Sequence, residues 1–587
     1  MRFVLAIICF VIALGTMGTG IAQRTFLAGP DQVTLSSTAA KAAPVVVIDG
    51  AALNAYQSTQ TVRLRGSSTA FAAYGRTSDV LAWIGNTNYT EVSINKTTDE
   101  LQSVLHRGAA TTVPNPAGSD LWLQQFTFDQ AKDFQAKIPA NMSVIAVSNG
   151  KKAAPSTVSL SWPLDNETPW SGPLILVGVI ALILGLIFLL WAFNHLRRTR
   201  GPRRTPQRMP KLPRQPRFRR PGTISNGSSG TSGTSGTPKG RRAIRSYIAV
   251  VPALGITAML LVGCSATPAP TIVSSSTASP KAAADASSKT PAVSTPQLQE
   301  IVSRISATVA TADSTFDAKL IKTRMAGPAL DDRLANYIIR KAQPTLTASI
   351  PIPAKVVKLN LPESQNKWPR SVFTVVKTTS SSNLEYIAMM LIQQSPRANY
   401  KVNYAVTLQP NTTLPHVAPA SVGTQRLNPN IGLLKMAPSE LALAYGEILD
   451  QDTAAASYAQ FDAKDDAFRT QVGLASKKAQ EAALPATAKL TYTNSNGDGQ
   501  VIALETIDAG AIVAVDLDET EVVTPVQTGA AVSAPGAIEA YLGTGTSTSG
   551  ISATYGDQLL FYVPAATASG KIMLLGYSQG LINAKEL

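Results

Sequence analysis

Three short stretches of this 587-residue sequence combine residue types that could do chemistry. Residues 261–264 (LVGC) end an apolar run on a thiol, a group that a diacylglycerol can alkylate. Residues 576–580 (GYSQG) match the G-x-S-x-G turn that exposes a nucleophilic serine. Residues 494–505 (NSNGDGQVIALE) place oxygen-bearing side chains at ligand positions 1, 3, 5 and 12 of a calcium-binding loop. Each stretch therefore indicates one candidate modification, reaction or ligand.

The surroundings of Cys264 favour a lipid attachment site. Arginines at positions 241, 242 and 245 precede the apolar run 247–263, and residues 265–296 are Ser, Thr, Ala or Pro at 26 of 32 positions, so they cannot bury a core. This arrangement resembles the signal sequence and tether of a bacterial lipoprotein, here inside a longer chain. The resemblance implies that Cys264 is lipidated and that the chain is cut before it. The alternative is that Cys264 ends a further transmembrane helix.

The serine motif lacks the partners that hydrolysis requires. In the fold that uses this turn, an acid and then a histidine follow the serine along the chain. Only seven residues follow Gly580, and none of them is histidine. His106 and His416 lie elsewhere in the sequence. We therefore interpret Ser578 as a strand residue and predict that the protein is not an enzyme, with an extracytoplasmic hydrolase as an alternative.

The calcium-like stretch is better explained as a turn. Its first position is Asn494 instead of Asp, and the flanking segments AKLTYT and VIAL have the composition of strands. Asn-Gly and Asp-Gly pairs are also the usual turns of β-hairpins, so the sequence predicts a hairpin here. The acidic run of Asp516, Asp518, Glu519 and Glu521 is predicted to be a solvated strand face. No catalytic, metal-binding or cofactor-binding residue is assigned.

Positive charge is concentrated in one segment. The chain has 52 Lys and Arg, 37 Asp and Glu, and a formal net charge of +15. Residues 197–245 hold 15 of these cations and no carboxylate, which leaves the rest of the chain balanced. Phe218 is the only aromatic residue there, so nucleic-acid bases would find almost no surface for stacking. We therefore expect this segment to contact anionic lipid and not nucleic acid.

Composition also excludes two classes of small protein. The chain contains 2 cysteines and 3 histidines. A disulfide scaffold needs several cysteine pairs, and a structural zinc site groups its four Cys or His ligands at short spacings, which these five residues do not have. Neither class fits these counts.

Three apolar runs define the predicted topology. Residues 3–22 follow Arg2, residues 173–193 contain no charge, and residues 247–263 precede Cys264. A helix of about 20 residues spans a bilayer core. Because positive charge stays on the cytoplasmic side, the loop 194–245 is predicted to lie on the cytoplasmic side of the cell membrane. Residues 24–172 and 265–587 are then predicted to lie on its outer side.

The sequence predicts the following organisation. It comprises 1–23 as a signal peptide or signal-anchor helix, 24–172 as a β-rich domain, 173–193 as a transmembrane helix, 194–245 as a cytoplasmic loop, 246–264 as a transmembrane helix or internal lipoprotein signal, 265–296 as a tether, and 297–430 and 431–587 as two α+β domains.

The two exported parts have different patterns. Residues 24–172 contain short apolar or alternating runs separated by Gly, Asn, Pro and Ser, which predicts a β-rich, sandwich-like or barrel-like domain. Within it, Val80–Ile84 is predicted to be a strand and Asp129–Lys137 a short helix. Trp170 is predicted to anchor the chain at the membrane interface.

Residues 297–587 repeat one order of elements. Apolar residues recur at helical spacing from Leu298 to Ala312, and Tyr400–Leu408 alternates with a period of two. After a Pro-rich linker at 410–430, helices precede strands again. The pattern predicts two α+β units, each a curved antiparallel sheet with helices on one face. This order resembles tandem NTF2-like domains.

The combination of these features resembles uncharacterised lipoproteins and membrane proteins of the actinobacterial cell envelope, mainly over residues 260–587. The resemblance is carried by the LVGC box, the tether, and the segments 324–337, 368–375 and 574–587. It implies a location and not an activity. We therefore predict a membrane-anchored extracytoplasmic protein with a non-catalytic binding or assembly role and an envelope or wall partner. The alternative is a membrane sensor that signals through the basic loop.

Overall fold

The computed structural model describes residues 1–164, 169–198, 290–354, 356–377, 386–410 and 412–587. These residues form two compact units. One contains residues 1–23 and 169–198, and the other contains the described residues of 24–164 and 290–587. Cys264, the basic loop beyond residue 198, the predicted crossing at 246–264 and the tether up to residue 289 lie outside the described residues.

The chain begins with an apolar helix, α1 (Arg2–Arg24). Its residues Phe3–Arg24 are long and apolar enough to cross a membrane, and their position near the N-terminus also fits a signal sequence. The structure thus places a helix where the sequence predicts a signal peptide or signal anchor.

Residues 24–164 fold into a β-rich domain around one eight-stranded sheet. The sheet order is β1-β8-β3-β7-β2-β4-β5, with β6 on β3, and β2 and β4 form a parallel pair. In chain order the elements are β1 (Gln32–Thr38), β2 (Val45–Ile48), α2 (Gly50–Leu53), β3 (Gln60–Arg76), α3 (Thr77–Ile84), β4 (Tyr89–Asn95), β5 (Glu100–His106), β6 (Gln124–Ala136), β7 (Met142–Val147) and β8 (Thr157–Pro163).

The two end strands of this sheet, β1 and β5, approach each other. The Ser37 and Ser103 Oγ atoms lie 2.7 Å apart across them. The sheet therefore curls round a core that includes Val62, Leu64 and Trp162. Its other face, on β2, β3 and β7, is covered by α3 and by the segment around Trp122.

Two predicted elements in this domain are wrong. Val80–Ile84 belongs to helix α3, in which Val80, Trp83 and Ile84 are buried at helical spacing. A short apolar run alone does not distinguish a helix from a strand. Asp129–Lys137 lies largely in strand β6, because pairing with β3 outweighs the helical propensity of DQAKDFQAK.

The β-rich domain is followed by α4 (Ser171–Arg198), which is also long and apolar enough to cross a membrane. Within its unit, α4 packs against α1. A Cβ atom on Gly178 would lie 2.3 Å from the Met17 side chain, so this helix pair requires a small residue there. Trp170 directly precedes α4 and is 69% exposed.

Residues 290–587 contain one ten-stranded sheet. Its order is β13-β15-β16-β19-β20-β12-β11-β10-β9, with β14 on β16. In chain order the elements are α5 (Thr295–Thr315), α6 (Ala318–Ile321), α7 (Pro328–Ala342), β9 (Val356–Pro362), β10 (Arg370–Lys377), β11 (Tyr386–Gln393), β12 (Lys401–Leu408), β13 (Arg426–Leu427), α8 (Leu441–Gln451), α9 (Ala467–Val472), α10 (Leu474–Ala483), β14 (Ala488–Asn496), β15 (Ile502–Glu505), β16 (Ala511–Pro525), β17 (Val532–Ser533), α11 (Ala537–Leu542), β18 (Thr546–Ser547), β19 (Ile551–Val563) and β20 (Met573–Glu586).

Helices precede strands twice, but the two sets of strands share this sheet. β9–β12 join β14–β16 and β19–β20 through two residue pairs between β12 and β20, Thr407↔Tyr577 and Leu408↔Gly576. Each half has its own helix-covered core. A third core lies between strands of the two halves and includes Phe373 of β10 and Leu560 of β19. The architecture is therefore mixed α/β with antiparallel sheets, as predicted at that level.

The first helix of this region begins earlier than predicted. Ser294 caps α5, with its hydroxyl accepting from the Gln297 amide, and the residues from Leu298 to Ala312 predicted to face the core are buried. Ala292 and Val293 are buried as well. The last residues of the predicted tether are therefore packed against the folded region, starting at Thr290.

Candidate functional site

Buried ion pairs join the β-rich domain to residues 290–587. Asp79, in α3, accepts from Arg76 Nε and from Arg370 Nη2 at 2.8 Å each. Arg370 is fully buried and lies over the Trp368 ring, 3.7 Å from its centroid. Arg76 also donates to the Pro291 carbonyl at 2.7 Å. One carboxylate is therefore shared by guanidinium groups from both regions.

A second network centres on Asp120, which is fully buried. Its Oδ2 accepts from Arg324 Nη1 at 2.6 Å and from the Tyr400 amide at 2.8 Å. Arg304 Nη1 lies 3.3 Å from the other carboxylate oxygen. The Gln297 side chain donates to the Asp120 carbonyl at 2.6 Å. This carboxylate thus contacts α5, the segment after α6 and the start of β12.

A third contact uses the C-terminal end of α3. Arg397 donates to the Trp83 carbonyl at 2.8 Å and to the Ile84 carbonyl at 2.9 Å. These carbonyls carry the negative end of the helix dipole, so a cation is favoured there. We call these three contacts together the interdomain interface. No sequence pattern indicated it, because the partners lie hundreds of residues apart.

A groove of about 550 Å³ lies where the two halves of the sheet in residues 290–587 meet. Its walls come from α7, the 346–350 segment, the end of β12, α9 and β20. Gln409 is fixed there, donating to the Leu574 carbonyl and accepting from the Ala467 amide, at 2.7 Å each. Burial raises the pKa of Asp332, whose side chain lies against Gly580. We call this cavity the junction groove.

Ser578 lines the junction groove, on β20. It pairs with Gln558 of β19 as an ordinary strand residue and not as a strand-to-helix turn. The described residues that line the groove include no histidine or lysine, and Asp332 is the acidic residue among them. His106 instead bonds Glu91 at 2.6 Å in the β-rich domain.

The predicted hairpin at 494–505 is wrong, and so is a calcium loop there. β14 and β15 do not pair with each other but lie in succession along β16, with Asn494 opposite Glu519 and Glu505 opposite Ala511. Eight residues of strand separate these points by roughly 26 Å, too far for one ion. The side-chain amide of Asn494 donates to the Gly446 carbonyl and to the Asp450 carboxylate. The actual turn follows β15, at 506–510.

The predicted solvated face at 516–521 is also wrong. Asp516 is 8% exposed and Glu519 is 5% exposed. Glu519 bonds the buried Lys477, whose Nζ also lies 2.5 Å from Asp450 Oδ1. Burial raises the pKa of Glu519, and Lys477 opposes the rise. Glu519 is buried beside Lys477 of α10, and Asp516 lies against the backbone at Gly497 and Gly499.

The described residues contain no group of three or more His, Cys, Asp or Glu that could hold a metal ion. The predicted lipidation residue, Cys264, lies outside them, as does the basic loop proposed to contact anionic lipid. The described part of the chain therefore supports a binding groove and an interdomain interface as its candidate functional features.

Residues 289–586 match the family model described as Domain of unknown function (DUF8094). The match covers slightly more than half of the chain and includes α5 to β20. It therefore contains the junction groove and one side of the interdomain interface, while the β-rich domain lies outside it. No curated protein and no solved structure matches the chain.

Proposed function

The chain belongs to the DUF8094 family, a family described only as a domain of unknown function, and from that premise we propose that it is a membrane-anchored binding or assembly protein of a bacterial cell envelope. It holds residues 24–164 and 290–587 outside the membrane as one exported body. The junction groove on this body receives an envelope or wall partner. The observation that carries the proposal is the interdomain interface, because it joins the region that precedes helix α4 in the chain to the region that follows it.

The interface constrains the topology. A fully buried ion pair such as Asp79–Arg370 forms only between surfaces that meet, which supports placing both regions in the same compartment. Helix α4 lies between them in the chain and is long enough to cross a bilayer. If α4 crosses, the chain must return before Thr290. This favours the predicted return at 246–264 and a cytoplasmic location for the basic loop.

The groove supports binding more than catalysis. It lies between two helix-covered halves, a common position for ligand sites in proteins. Its wall residues Gln409, Gln471 and Tyr577 are engaged in hydrogen bonds with the protein, which gives the groove a fixed shape. We further infer that the two halves are tandem NTF2-like units, because helices precede strands in each half. We also infer that a lipoprotein-type anchor holds them at the membrane. The partner would then contact both units at once.

Thiol labelling of intact cells tests this topology. We expect an impermeant maleimide to label cysteines introduced as Lys96→Cys and Lys478→Cys, which are exposed positions in the two regions. A cysteine introduced as Gln215→Cys, in the basic loop, should react only after the membrane is permeabilised. The unsubstituted chain, with Cys9 and Cys264, gives the background. Labelling of Lys96→Cys with protection of Lys478→Cys would place the regions in different compartments and overturn the proposal.

A second experiment tests processing at Cys264. Cells carrying tags at both ends should yield a C-terminal fragment of 324 residues. Substituting Cys264→Ala, or inhibiting lipoprotein signal peptidase, should restore the full-length band. Because the interdomain interface is buried, the two fragments should co-purify in mild detergent. Asp79→Ala should release them. A single full-length band in every sample would show instead that Cys264 ends a transmembrane helix.

A further inference from the structure

The two apolar helices α1 and α4 lie antiparallel within one compact unit. At one end of the pair, the Phe3 and Phe193 rings meet edge to face with their centroids 6.0 Å apart. At the other end, a Cβ atom on Gly20 would lie 3.0 Å from the Ser171 carbonyl oxygen. Contact with α4 therefore extends over almost the whole length of α1.

The buried residues of this pair are small, and on each helix they recur every seven positions. On α1 they are Ala6, Ala13 and Gly20, and on α4 they are Ser171, Gly178, Gly185 and Ala192. The other described residues of both helices are exposed or half-buried. A repeat of seven keeps one face of a helix against a neighbouring helix. Each helix thus carries one continuous contact face, and the two faces meet.

The glycines of α4 allow the backbones to approach closely. A Cβ atom on Gly178 would lie 2.9 Å from the Met17 amide nitrogen, and one on Gly185 would lie 3.1 Å from the Phe10 ring. Met17 and Phe10 each lie between two members of the α1 repeat, so the small residues of the two helices alternate along the contact. Such packing is a main source of attraction between helices in lipid. A Cβ atom would meet nothing within 4 Å at the glycines outside the repeats, Gly15, Gly18 and Gly172.

A signal sequence that is removed has no use for this fit. It needs a basic start, an apolar segment and small residues before the cut, as at Gly20 and Ala22. In the structure α1 continues through both residues to Arg24, and Gly20 is buried against α4. The candidate cut thus lies at a packed helix end. Removal of α1 would also leave the repeat on α4 without its partner.

The charged ends of the two helices agree with the pairing. Arg2 begins α1, and Arg197 and Arg198 end α4. Because the helices are antiparallel, these residues belong to the same end of the pair. Positive charge stays on the cytoplasmic side of a membrane, so both helices are oriented by the same rule.

We propose that α1 is retained in the mature chain and forms, with α4, a two-helix transmembrane anchor that is paired through the seven-residue repeats. The inference rests on the proposed function, in which α4 crosses the membrane, and deepens it by assigning the fate and the partner of α1. The β-rich domain is then attached to the membrane at both of its ends, whether or not the chain is cut before Cys264.

The mass of the unsubstituted protein gives the first test. The chain purified from membranes, or its N-terminal fragment if it is cut before Cys264, should have an intact mass that includes residues 1–22. An N-terminus at Gln23 would show cleavage after Ala22 and overturn the inference. That result would leave the labelling of Lys96→Cys and Lys478→Cys unchanged, so the proposed function would stand. Labelling of Lys96→Cys alone would refute the proposed function and leave this mass unchanged.

Cys9 makes the pairing itself measurable. Its Cβ atom lies 3.3 Å from the position of a Cβ atom on Gly185, close to the separation of about 3.5–4.5 Å in disulfides. Oxidation of membranes that contain the Gly185→Cys variant should therefore link it to Cys9, which mass spectrometry detects as a disulfide-linked pair of tryptic peptides. Leu186→Cys, at a neighbouring position that is 46% exposed, is the matched control and should not link. Failure of Gly185→Cys to link, or equal linking of both variants, would refute the pairing.

A bulky residue connects the pairing to the repeats. Adding Gly178→Leu to the Gly185→Cys variant should lower the yield of the disulfide several-fold, because a side chain there meets the α1 backbone. Gly15→Leu, at a glycine with open space around it, should leave the yield unaltered. Equal yields with the two added substitutions would mean that the helices do not pair through these residues.

Discussion

Replacing Asp120 with alanine is expected to lower the free energy of unfolding of the exported body by about 3–5 kcal/mol, the usual effect of breaking a buried ion pair. Asp120 is fully buried and receives hydrogen bonds from Arg324 and from the Tyr400 amide. Its removal leaves the guanidinium of Arg324, which is 7% exposed, without a countercharge. The Tyr400 amide loses its acceptor in the same step.

Urea titration of the full chain in detergent, followed by tryptophan fluorescence, measures this loss, since Trp83 and Trp122 lie in the core beside the interface. Asp133→Ala is the matched control. Asp133 pairs with Arg63 at 2.8 Å in the same domain, but both side chains are more than 40% exposed. Surface pairs of this kind contribute about 1 kcal/mol or less. Equal losses for the two variants would mean that the Asp120 network does not hold the regions together.

Local pattern was sufficient to predict several elements correctly. The spacing of Leu298, Ile301 and Ile305 predicted α5, and the alternation from Tyr400 to Leu408 predicted β12. α5 buries one face, as its spacing predicted. β12 is buried on both faces from Val402 to Val406, so the period of two located the strand but wrongly predicted a single buried face. In β6, Phe126, Phe128 and Phe134 also lie an even number of residues apart, a signal for a strand that helical propensity obscured.

The functional features depend on contacts that no local pattern records. Asp120 and Arg324 are separated by 204 residues, and Asp79 and Arg370 by 291. An aspartate that is buried and paired has the same letter as one on the surface. Asp516 is an example, because its strand face was wrongly predicted to be solvated. The apolar run directly before it, Ala511–Val515, is buried and was the available signal that the strand continues into the interior.

Replacing Asp516 with asparagine is expected to stabilise the exported body, and the gain should grow with pH. The ordinary pKa of this carboxyl is 3.8, and burial with neighbouring charge raises it to about 7 in the folded chain. Between these values the folded state binds more protons than the unfolded state, so stability falls as pH rises. Above about pH 7 the whole penalty is present, with an upper bound of about 4 kcal/mol. The carboxamide oxygen of the substituted side chain would still accept from the Gly499 amide.

The free energy of unfolding of the variant should therefore exceed that of the unsubstituted chain by about 2–4 kcal/mol at pH 8 and by little at pH 4. The groups that face Asp516 are Asp331, Asp498, Asp518, Tyr404 and Asp557, each acidic, so none of them offsets the change. Urea titrations at the two pH values measure the difference, with Glu481→Gln as the control for net charge. A gain in the free energy of unfolding that does not depend on pH would mean that the charge of the Asp516 carboxylate is already compensated in the folded chain.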